Sequence, residues 1–464
     1  MKKNVERFPL LGQILYSSGY VGFTIADRIW VTFMLYFYLP PKESGMTELI
    51  SNKTFLWVLT VAGIATIFGR VVDAIANPLV ASWSDRSTSR IGRRKIFLIY
   101  GGLPLMVATA LLFFPPSPEA GAANAVYMAL MLGCLLFFFT FYVTPWLALI
   151  PELSHTNEER INITTMQAAF SLVGVVIVMI GGYALWGAIE SSGVEKARAL
   201  QLAIVILCVI GLISCYVSII PIDEKRYSAT APAQLKMWDS LKLTFKNRPF
   251  IPYLIGTICL WFGLNIISES ATYYVTVLLG KPETFASVVF AFVFGVALIF
   301  FPVINIVSRR IGKKMIMIVS LAVFAVCAVF LYFLGSDTLI LSPVNQAFII
   351  FGVMGIPVSA LLAVPNAMIA DLAEYDAVKT GINRDAMYFG AQGLVQKVNL
   401  GVATLVLAYL FAAFGKDVSN PGGIRISAFV TAFVCVLGII VYLFYPEKKI
   451  MEVLEESRAA SGKG

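Results

Sequence analysis

Long apolar runs, separated by short polar segments, follow one another along the whole chain of 464 residues. Each run is long enough to cross a hydrocarbon layer about 30 Å thick, which takes roughly 20 helical residues. The runs contain Gly and Pro and lack the alternation of apolar and polar positions that strands of a membrane barrel show. Because lipid offers no partner to an unpaired backbone, we expect each run to be a helix.

The pattern predicts an all-α membrane protein with twelve transmembrane helices. We place them near residues 10–39, 55–84, 96–114, 125–149, 165–189, 199–221, 249–279, 283–306, 315–335, 345–370, 386–413 and 426–445. The first is too long for the apolar part of a signal peptide and has no small-residue cleavage site after it, so we expect it to remain on the protein.

The composition agrees with this interpretation. Hydrophobic residues make up 59% of the chain and charged residues 13%, which excludes an ordinary soluble protein. The six cysteines all fall inside expected spans, where they act as small apolar residues. The cysteines therefore imply neither a disulfide nor a metal site, and we expect no bound cofactor.

The basic residues predict the orientation, because cytoplasmic loops collect Lys and Arg. With the N-terminus inside, the inner segments hold 25 of the 35 Lys and Arg residues and the outer loops hold 7. Both termini are therefore expected in the cytoplasm, with the chain as a multi-pass protein of the cell inner membrane. The net charge of +8 follows from this topology, so no nucleic-acid partner is expected.

Two loops indicate an internal duplication. Residues 90–94 read RIGRR and residues 310–314 read RIGKK, an offset of 220 positions. Pro145 and Pro365, in the fourth and tenth expected spans, are separated by the same offset. The chain is therefore expected to contain two similar six-helix halves.

The duplication predicts an N-terminal half (1–221), a cytoplasmic central loop (222–248), a C-terminal half (249–445) and a cytoplasmic tail (446–464). Parallel repeats of this kind form carriers whose site lies between the halves near the bilayer midplane. No His, Cys or carboxylate cluster has the spacing of a metal or catalytic site, so a carrier is favoured over a membrane-embedded enzyme. A non-transporting sensor on the same scaffold is a further alternative.

Ionisable side chains inside spans are functional candidates, because each costs several kcal/mol unless it is paired or faces a cavity. The candidates are Asp27, Arg28, Arg70, Asp73, Glu269 and Lys397. Asp73, Lys397 and Thr140 lie roughly 14 to 16 Å from the inner ends of their spans, at the midplane. Glu269 and the pair Asp27 and Arg28 lie nearer the outer face.

The second span carries a candidate cation site. Arg70, Asp73 and Asn77 follow at i, i+3 and i+7 and share one helix face. A carboxylate, an amide oxygen and the hydroxyl of Thr140 are ligands suited to a hard cation. The alternative is that Asp73 only pairs with Arg70 to hold the helices together.

Lys397 belongs to a polar stripe on the eleventh span, together with Gln392 and Gln396. A buried ammonium can act as counter-ion to Asp73, so that cation binding changes the attraction between the halves. The alternative is a purely structural lysine.

The basic loops have two interpretations. They act either as topology anchors or as a clamp that holds neighbouring helix ends in one conformation. The candidate clamp residues are Asp85, Arg90, Arg93, Arg94 and Arg310.

Several motifs together resemble a known family. They are Asp73-Ala-Ile-Ala-Asn77-Pro78, the segment from Arg90 to Lys95, Pro145 running to Pro151-Glu152, Asp371-Leu-Ala-Glu374-Tyr375, Thr380-Gly381 and Lys397. Over nearly the whole chain they are similar to the glycoside-pentoside-hexuronide:cation symporters (melibiose permease-like) of the major facilitator superfamily. The resemblance implies the major facilitator fold and sugar transport coupled to Na⁺ or H⁺. It also implies that Asp73 and Thr140 hold the cation and that Lys397 lies beside the cation and sugar sites.

The chain departs from that family at several binding positions. Asn77 replaces a second aspartate, and Val143 replaces an aspartate that helps to hold sugar. Gln167 or its neighbour Ala168 replaces an arginine, and Thr24 is nearest to a missing aspartate of the first span. Gln167 is therefore our candidate for solute binding on the fifth span.

Transport survives these departures, but sugar specificity does not follow from the sequence. The expected partners are a small-molecule solute and membrane lipid, for a monomeric chain. A lysolipid or amphiphile carrier and an uncoupled facilitator are the alternatives on the same scaffold.

Overall fold

The computed structural model describes residues 7–55, 59–154, 157–227, 244–336, 341–381 and 385–460, which are mostly helical. The long helices of the first half are α1 (Leu10–Tyr38), α2 (Val61–Arg86), α3 (Lys95–Leu111), α4 (Ala122–Ala148), α5 (Asn157–Val176, continued by the π-helical Ile177–Gly182 and by Tyr183–Ser191) and α6 (Lys196–Val217). Those of the second half are α7 (Phe250–Tyr273, continued by the π-helical Tyr274–Leu278), α8 (Phe285–Ile311), α9 (Lys313–Tyr332), α10 (Pro343–Thr380), α11 (Asp385–Phe414), α12 (Gly422–Leu443) and α13 (Glu447–Ala460).

The start of α2 differs from the sequence prediction. The expected span began at residue 55, but Thr54–Phe55 pairs with Leu59–Thr60 in a small two-stranded antiparallel sheet. The helix begins at Val61 because the Thr60 hydroxyl accepts a hydrogen bond from the Gly63 N–H over 3.1 Å. Such a side-chain cap satisfies one of the free N–H groups at a helix start. The residues before Val61 are also largely apolar, so hydropathy alone placed the start of the helix too early.

Helices lie at all twelve expected positions. In the described ranges, ten of them have the length and composition of a membrane span. Neither α1 nor α3, which has 17 residues, is among these ten. The count of twelve spans and the cytoplasmic termini therefore remain predictions.

The chain divides into two compact units. The first comprises Met1–Pro232 with Lys281–Ser287, and the second comprises Ala233–Gly280 with Val288–Gly464. The division falls inside the expected central loop, of which residues 228–243 lie outside the described part. The segment Lys281–Ser287 was expected in the C-terminal half, yet by its contacts it groups with the first unit.

Each unit has the same order of packed helices. In the first unit α1 packs on α5 and α6, α3 on α4 and α6, and α2 on α4. In the second unit α7 packs on α11 and α12, and α9 on α10 and α12. There α8 approaches α10 at Gly355, where a Cβ would lie 2.6 Å from the Val293 carbonyl oxygen. Each of these second-unit contacts corresponds to a first-unit contact shifted by six helices, as expected of a duplicated six-helix arrangement.

Candidate functional site

Asp73 lies in a buried polar cluster between α2 and α4. The two helices approach closely at Gly69 and Gly133, where an added Cβ would lie 2.9 Å from a side chain of the opposite helix. Thr140 donates a hydrogen bond from Oγ1 to Asp73 Oδ1 over 2.5 Å, and Asp73 is only 2% exposed. The fold thus joins two polar residues that are 67 positions apart in the sequence.

Asn77 completes the predicted cation-binding set. Its Nδ2 donates to the backbone oxygen of Asp73 over 2.7 Å and to Asp73 Oδ1 over 3.1 Å. A primary amide has two hydrogens, so both are directed at Asp73. The Asn77 carbonyl oxygen takes no part in these two bonds and can act as a ligand.

Arg70 also contacts the cluster. Its Nη1 lies 3.6 Å from Asp73 Oδ2. Its guanidinium carbon lies 5.1 Å from the ring centroid of Trp30 on α1, a distance at which a cation is attracted to an aromatic face. The structure therefore contains both features that the sequence offered as alternatives, the Asp73–Arg70 pair and the oxygen-rich cluster.

The donor set fits a hard monovalent cation. A carboxylate, an amide oxygen and a hydroxyl supply oxygen ligands only, which small hard cations prefer. Among the described residues no group of three or more His, Cys, Asp or Glu side chains can hold a metal ion. The single carboxylate of this set balances one positive charge, so the set suits a monovalent cation better than a divalent one.

The pair Asp27 and Arg28 lies on α1. Arg28 donates from Nε and Nη2 to Asp27 Oδ2 over 2.9 and 2.5 Å. Their side chains are 22% and 19% exposed, although both lie in the middle of a long helix. Thr24 and Tyr20 precede Asp27 by three and seven positions and share its helix face. This face of α1 therefore carries hydrogen-bond donors and acceptors near the middle of the helix.

Gln167 lies on the α5 face that packs against α1. Ser17 on α1 donates to the Ile163 carbonyl over 3.4 Å, and a Cβ at Gly174 would lie 2.8 Å from Thr24. Gln167 falls between these two contacts and is 4% exposed. Its Nε2 has no hydrogen-bond partner within the described ranges. A buried amide donor in this position is available to a bound solute.

In the second unit, Glu269 on α7 is 2% exposed. Its Oε1 accepts a hydrogen bond from Thr404 on α11 over 2.8 Å. A carboxylate that receives a hydroxyl from the neighbouring helix thus occurs in both units, at Asp73 with Thr140 and at Glu269 with Thr404.

The polar stripe of α11 contacts α7 through Gln392. Gln392 accepts a hydrogen bond from Tyr253 of α7 over 2.5 Å, while Gln396 and Lys397 are half-buried. Asp73 belongs to the first unit and Lys397 to the second. Their predicted pairing remains a prediction.

The predicted clamp forms a connected ion-pair network at the ends of α2, α3 and α4. Arg93 and Arg94 reach Glu152 Oε1 at 2.6 and 2.9 Å, and Arg94 reaches Asp85 at 3.1 Å. Glu152 belongs to the short helix Ile150–Leu153 that follows α4. Arg90 is exposed and takes no part in these ion pairs. The network therefore uses three of the predicted residues.

Sequence reasoning missed Glu224, an acidic residue at the same end of the first unit. Glu224 follows α6 and accepts the backbone N–H groups of Arg93, Arg94 and Lys95 at 2.7, 2.9 and 2.6 Å. A carboxylate is stabilised at a helix start by the free N–H groups and the helix dipole. Gly92, with φ of +142°, lets the chain pass beside it, because a Cβ there would lie 2.7 Å from Glu224 Oε1.

The second unit repeats this arrangement. Glu447 follows α12 and accepts the backbone N–H groups of Lys313 and Lys314 at 2.6 and 3.1 Å. Lys313 also pairs with Asp371 in the C-terminal part of α10. A Cβ at Gly312, with φ of +92°, would lie 2.7 Å from Glu447. Arg310 is exposed. The signal in the sequence was an acidic residue shortly after the sixth and the twelfth span.

The duplicated packing order is that of the major facilitator fold. The same fold is present in the crystal structure of a bacterial homolog of the human lysosomal transporter Spinster. That structure aligns with a TM-score of 0.65 and 14% identity over 96% of this chain and 97% of the other.

The chain belongs to the family of MFS/sugar transport proteins, whose profile matches residues 15–448. It is 24% identical to the uncharacterized symporter YnaJ of Bacillus subtilis, over 98% of this chain and 96% of that protein. It is 23% identical to the glucuronide carrier protein homolog of Escherichia coli, over 95% of this chain and 94% of that protein.

Family membership confirms the resemblance to glycoside-pentoside-hexuronide:cation symporters. The chain is a multi-pass membrane transport protein and not an enzyme.

Proposed function

We propose that the protein is a cation-coupled carrier of a glycoside-like solute, with Na⁺ or H⁺ as the coupling ion. The observation that carries this proposal is the buried Asp73, which lies within hydrogen-bond distance of a hydroxyl on α4 and an amide on its own helix. A carboxylate buried in a span is costly unless it has a function or a strong partner. Here its neighbour on α4 is the Thr140 hydroxyl oxygen, and the adjacent Asn77 side chain carries an amide oxygen, both of which suit a cation.

The cluster can change between two arrangements. Without a cation, the Thr140 hydroxyl donates a hydrogen bond to Asp73, and Arg70 supplies the compensating charge at 3.6 Å. A hydroxyl is both donor and acceptor, so rotation of the Thr140 hydroxyl presents a lone pair to an incoming Na⁺. Protonation of Asp73 is the equivalent event for H⁺. Either event neutralises Asp73 and weakens its attraction for cationic side chains.

The solute site is assigned to the half-exposed polar face of α1, with Gln167 of α5. The adjacent carboxylate and guanidinium of Asp27 and Arg28 offer an acceptor and a donor side by side, which suits hydroxyl groups. Gln167 adds a buried amide donor, and Tyr20 adds an aromatic surface. The name of the glucuronide carrier homolog supports a glycoside-like solute.

Transport follows alternating access, in which the two six-helix halves rock about a site near the midplane. Neutralisation of Asp73 by the cation changes its attraction for Lys397, and this difference biases the equilibrium between the two states. A ligand shifts such an equilibrium only through its differential affinity for the states. Glu269, Gln392 and Gln396 are assigned to the second half of the solute pathway.

The cation assignment is tested by thermal unfolding of the purified protein in matched NaCl, LiCl and choline chloride, at several pH values. We expect Na⁺ or Li⁺ to raise the melting temperature of the parent chain, since a ligand at 100 times its Kd stabilises by about 2.7 kcal/mol. A proton-coupled carrier instead responds to pH and treats the three salts alike.

Asp73→Asn is expected to abolish the cation or pH response, whereas Glu119→Gln, which alters an exposed carboxylate outside the cluster, retains it. An unchanged response in Asp73→Asn would contradict the assignment of the cation to Asp73. Uptake of glycosides into vesicles, with lysolipids screened in parallel, separates the glycoside carrier from an amphiphile carrier. Uptake that needs no ion gradient identifies an uncoupled facilitator.

A further inference from the structure

Glu283 is a buried carboxylate in the short segment Lys281–Ser287, which connects α7 to α8. It is 2% exposed. Tyr36, near the end of α1, donates its hydroxyl to Glu283 Oε1 over 2.8 Å. Lys196, at the start of α6, lies 3.2 and 3.1 Å from the two carboxylate oxygens. Two partner groups, the Tyr36 hydroxyl and the Lys196 ammonium, thus make three contacts with one carboxylate.

Lys196 is itself held in place. Its Nζ donates to the Ser44 carbonyl over 3.0 Å, and its own carbonyl accepts from the Trp186 indole over 3.0 Å. Glu190 lies farther from it, at 3.9 Å. The lysine therefore joins the loop after α1, the end of α5 and the segment Lys281–Ser287.

The segment is also closely packed. A Cβ at Gly187 of α5 would lie 2.3 Å from the Thr284 methyl carbon, so no larger residue fits between them without movement. The segment is grouped with the first unit by its contacts, while the chain on both sides of it belongs to the second unit. Its attachment is therefore made by specific side chains and not by chain continuity.

We propose that Glu283 and Lys196 are positioning residues that form a latch. The latch holds the segment Lys281–Ser287 against the first unit in one state of the transport cycle and releases it in the other. The proposal rests on the alternating-access mechanism and adds a contact that is independent of the cation cluster at Asp73.

The physical basis is the energetics of buried ion pairs. A buried pair adds little net stability relative to two solvated charges, because desolvation offsets the attraction. A state in which one of the two charges is buried alone is strongly disfavoured. The Glu283 side chain is 3% exposed and the Lys196 side chain 26%. The pair therefore favours two states, with Glu283 buried against Lys196 or with both side chains hydrated, and disfavours burial of Glu283 without its cation. This behaviour suits a contact that must form and break in each cycle.

The latch is tested by labelling an introduced cysteine with N-ethylmaleimide. Thr284→Cys reports on the closed segment, and Lys281→Cys, at an exposed position of the same segment, is the matched control. Both are made with Cys134, an exposed native cysteine, replaced by Ser. We expect the parent to protect position 284 and to leave position 281 reactive.

Lys196→Met leaves Glu283 buried without its cation, so labelling at position 284 should rise at least about tenfold. Adding Glu283→Gln to Lys196→Met removes the uncompensated charge and should restore part of the protection, which also shows that the chain still folds. Glu190→Gln, which alters the more distant carboxylate, should leave labelling unchanged.

Lys196→Met would also raise labelling if the ion pair never opened during transport. A further variant, Glu152→Gln, therefore perturbs the opposite end of the helices. Glu152→Gln weakens the Arg93 and Arg94 network and favours the state that is open there. It should therefore slow labelling at position 284. The latch is overturned by fast labelling of position 284 in the parent, by no effect of Lys196→Met, by additive effects in the double variant, or by no response to Glu152→Gln. None of these readouts depends on Asp73 or on a known solute.

Discussion

The hydroxyl of Thr140 on α4 donates to Oδ1 of the buried Asp73 on α2. This contact joins two helices that pack at Gly69 and Gly133. It places a hydroxyl oxygen beside a carboxylate in the middle of α2. In lipid, a carboxylate at such a position would otherwise be unsolvated. The cation proposal depends on this geometry, and Thr140 is therefore the sharpest place to test it.

Thr140→Val keeps the shape of the side chain and removes its oxygen. We expect apparent cation affinity to fall about tenfold, roughly 1.4 kcal/mol, because one ligand is lost. Thr140→Ser keeps the hydroxyl and should stay within about threefold of the parent. Titration of the melting temperature with NaCl, or with pH if the ion is H⁺, measures both. Equal affinities in Thr140→Val and Thr140→Ser would exclude the hydroxyl as a ligand.

Asn77→Asp adds a second carboxylate beside Asp73. More negative charge around the same oxygen ligands raises the affinity for a cation, so we expect tighter Na⁺ binding by about tenfold and a steeper loss of binding at low pH. Asn77→Leu removes the amide oxygen and should weaken binding. The same titration measures both variants. Tighter binding in Asn77→Leu than in Asn77→Asp would contradict the assignment of Asn77.

Glu224→Gln removes the charge that three backbone N–H groups share at the start of α3. Loss of a charged helix cap should destabilise the protein by about 1 to 2 kcal/mol. Glu447→Gln, its counterpart in the second unit, should give a loss of similar size. The measurement is the apparent melting temperature, with Glu455→Gln on the exposed face of α13 as the control. Full stability in both cap variants would show that these contacts contribute nothing.

Gly92→Ala places a Cβ at a position with φ of +142° and within 2.7 Å of Glu224. Backbone strain and collision act together, so we expect a loss of about 2 to 3 kcal/mol. Gly381→Ala is the matched control, because its φ is +71° but no atom lies within 4 Å of the added Cβ. Gly92→Ala should lower the melting temperature more than Gly381→Ala does. The reverse order would remove the steric part of the argument.

Hydrophobic periodicity was sufficient to locate the helices, because a span in lipid must satisfy its own backbone and be roughly 20 residues long. It could not set the start of α2, since the Thr60 cap and the pairing of Thr54–Phe55 with Leu59–Thr60 depend on local hydrogen bonds that hydropathy does not record. The repeat of RIGRR as RIGKK predicted the duplication, and the shared packing order agrees with it.

The sequence by itself determined the helical membrane class, the duplicated halves and the identity of Asp73, Asn77 and Thr140 as a candidate set. Each follows from composition, spacing or motif. Only the tertiary structure decided that Thr140 and Asn77 direct their hydrogens at Asp73. It also showed that Glu224 and Glu447 cap helix starts, and that Glu283 is buried against Lys196. Apart from Asn77 and Asp73, which lie four positions apart on α2, those contacts join residues more than 60 positions apart. Their partners are set by helix packing, which a linear pattern does not encode.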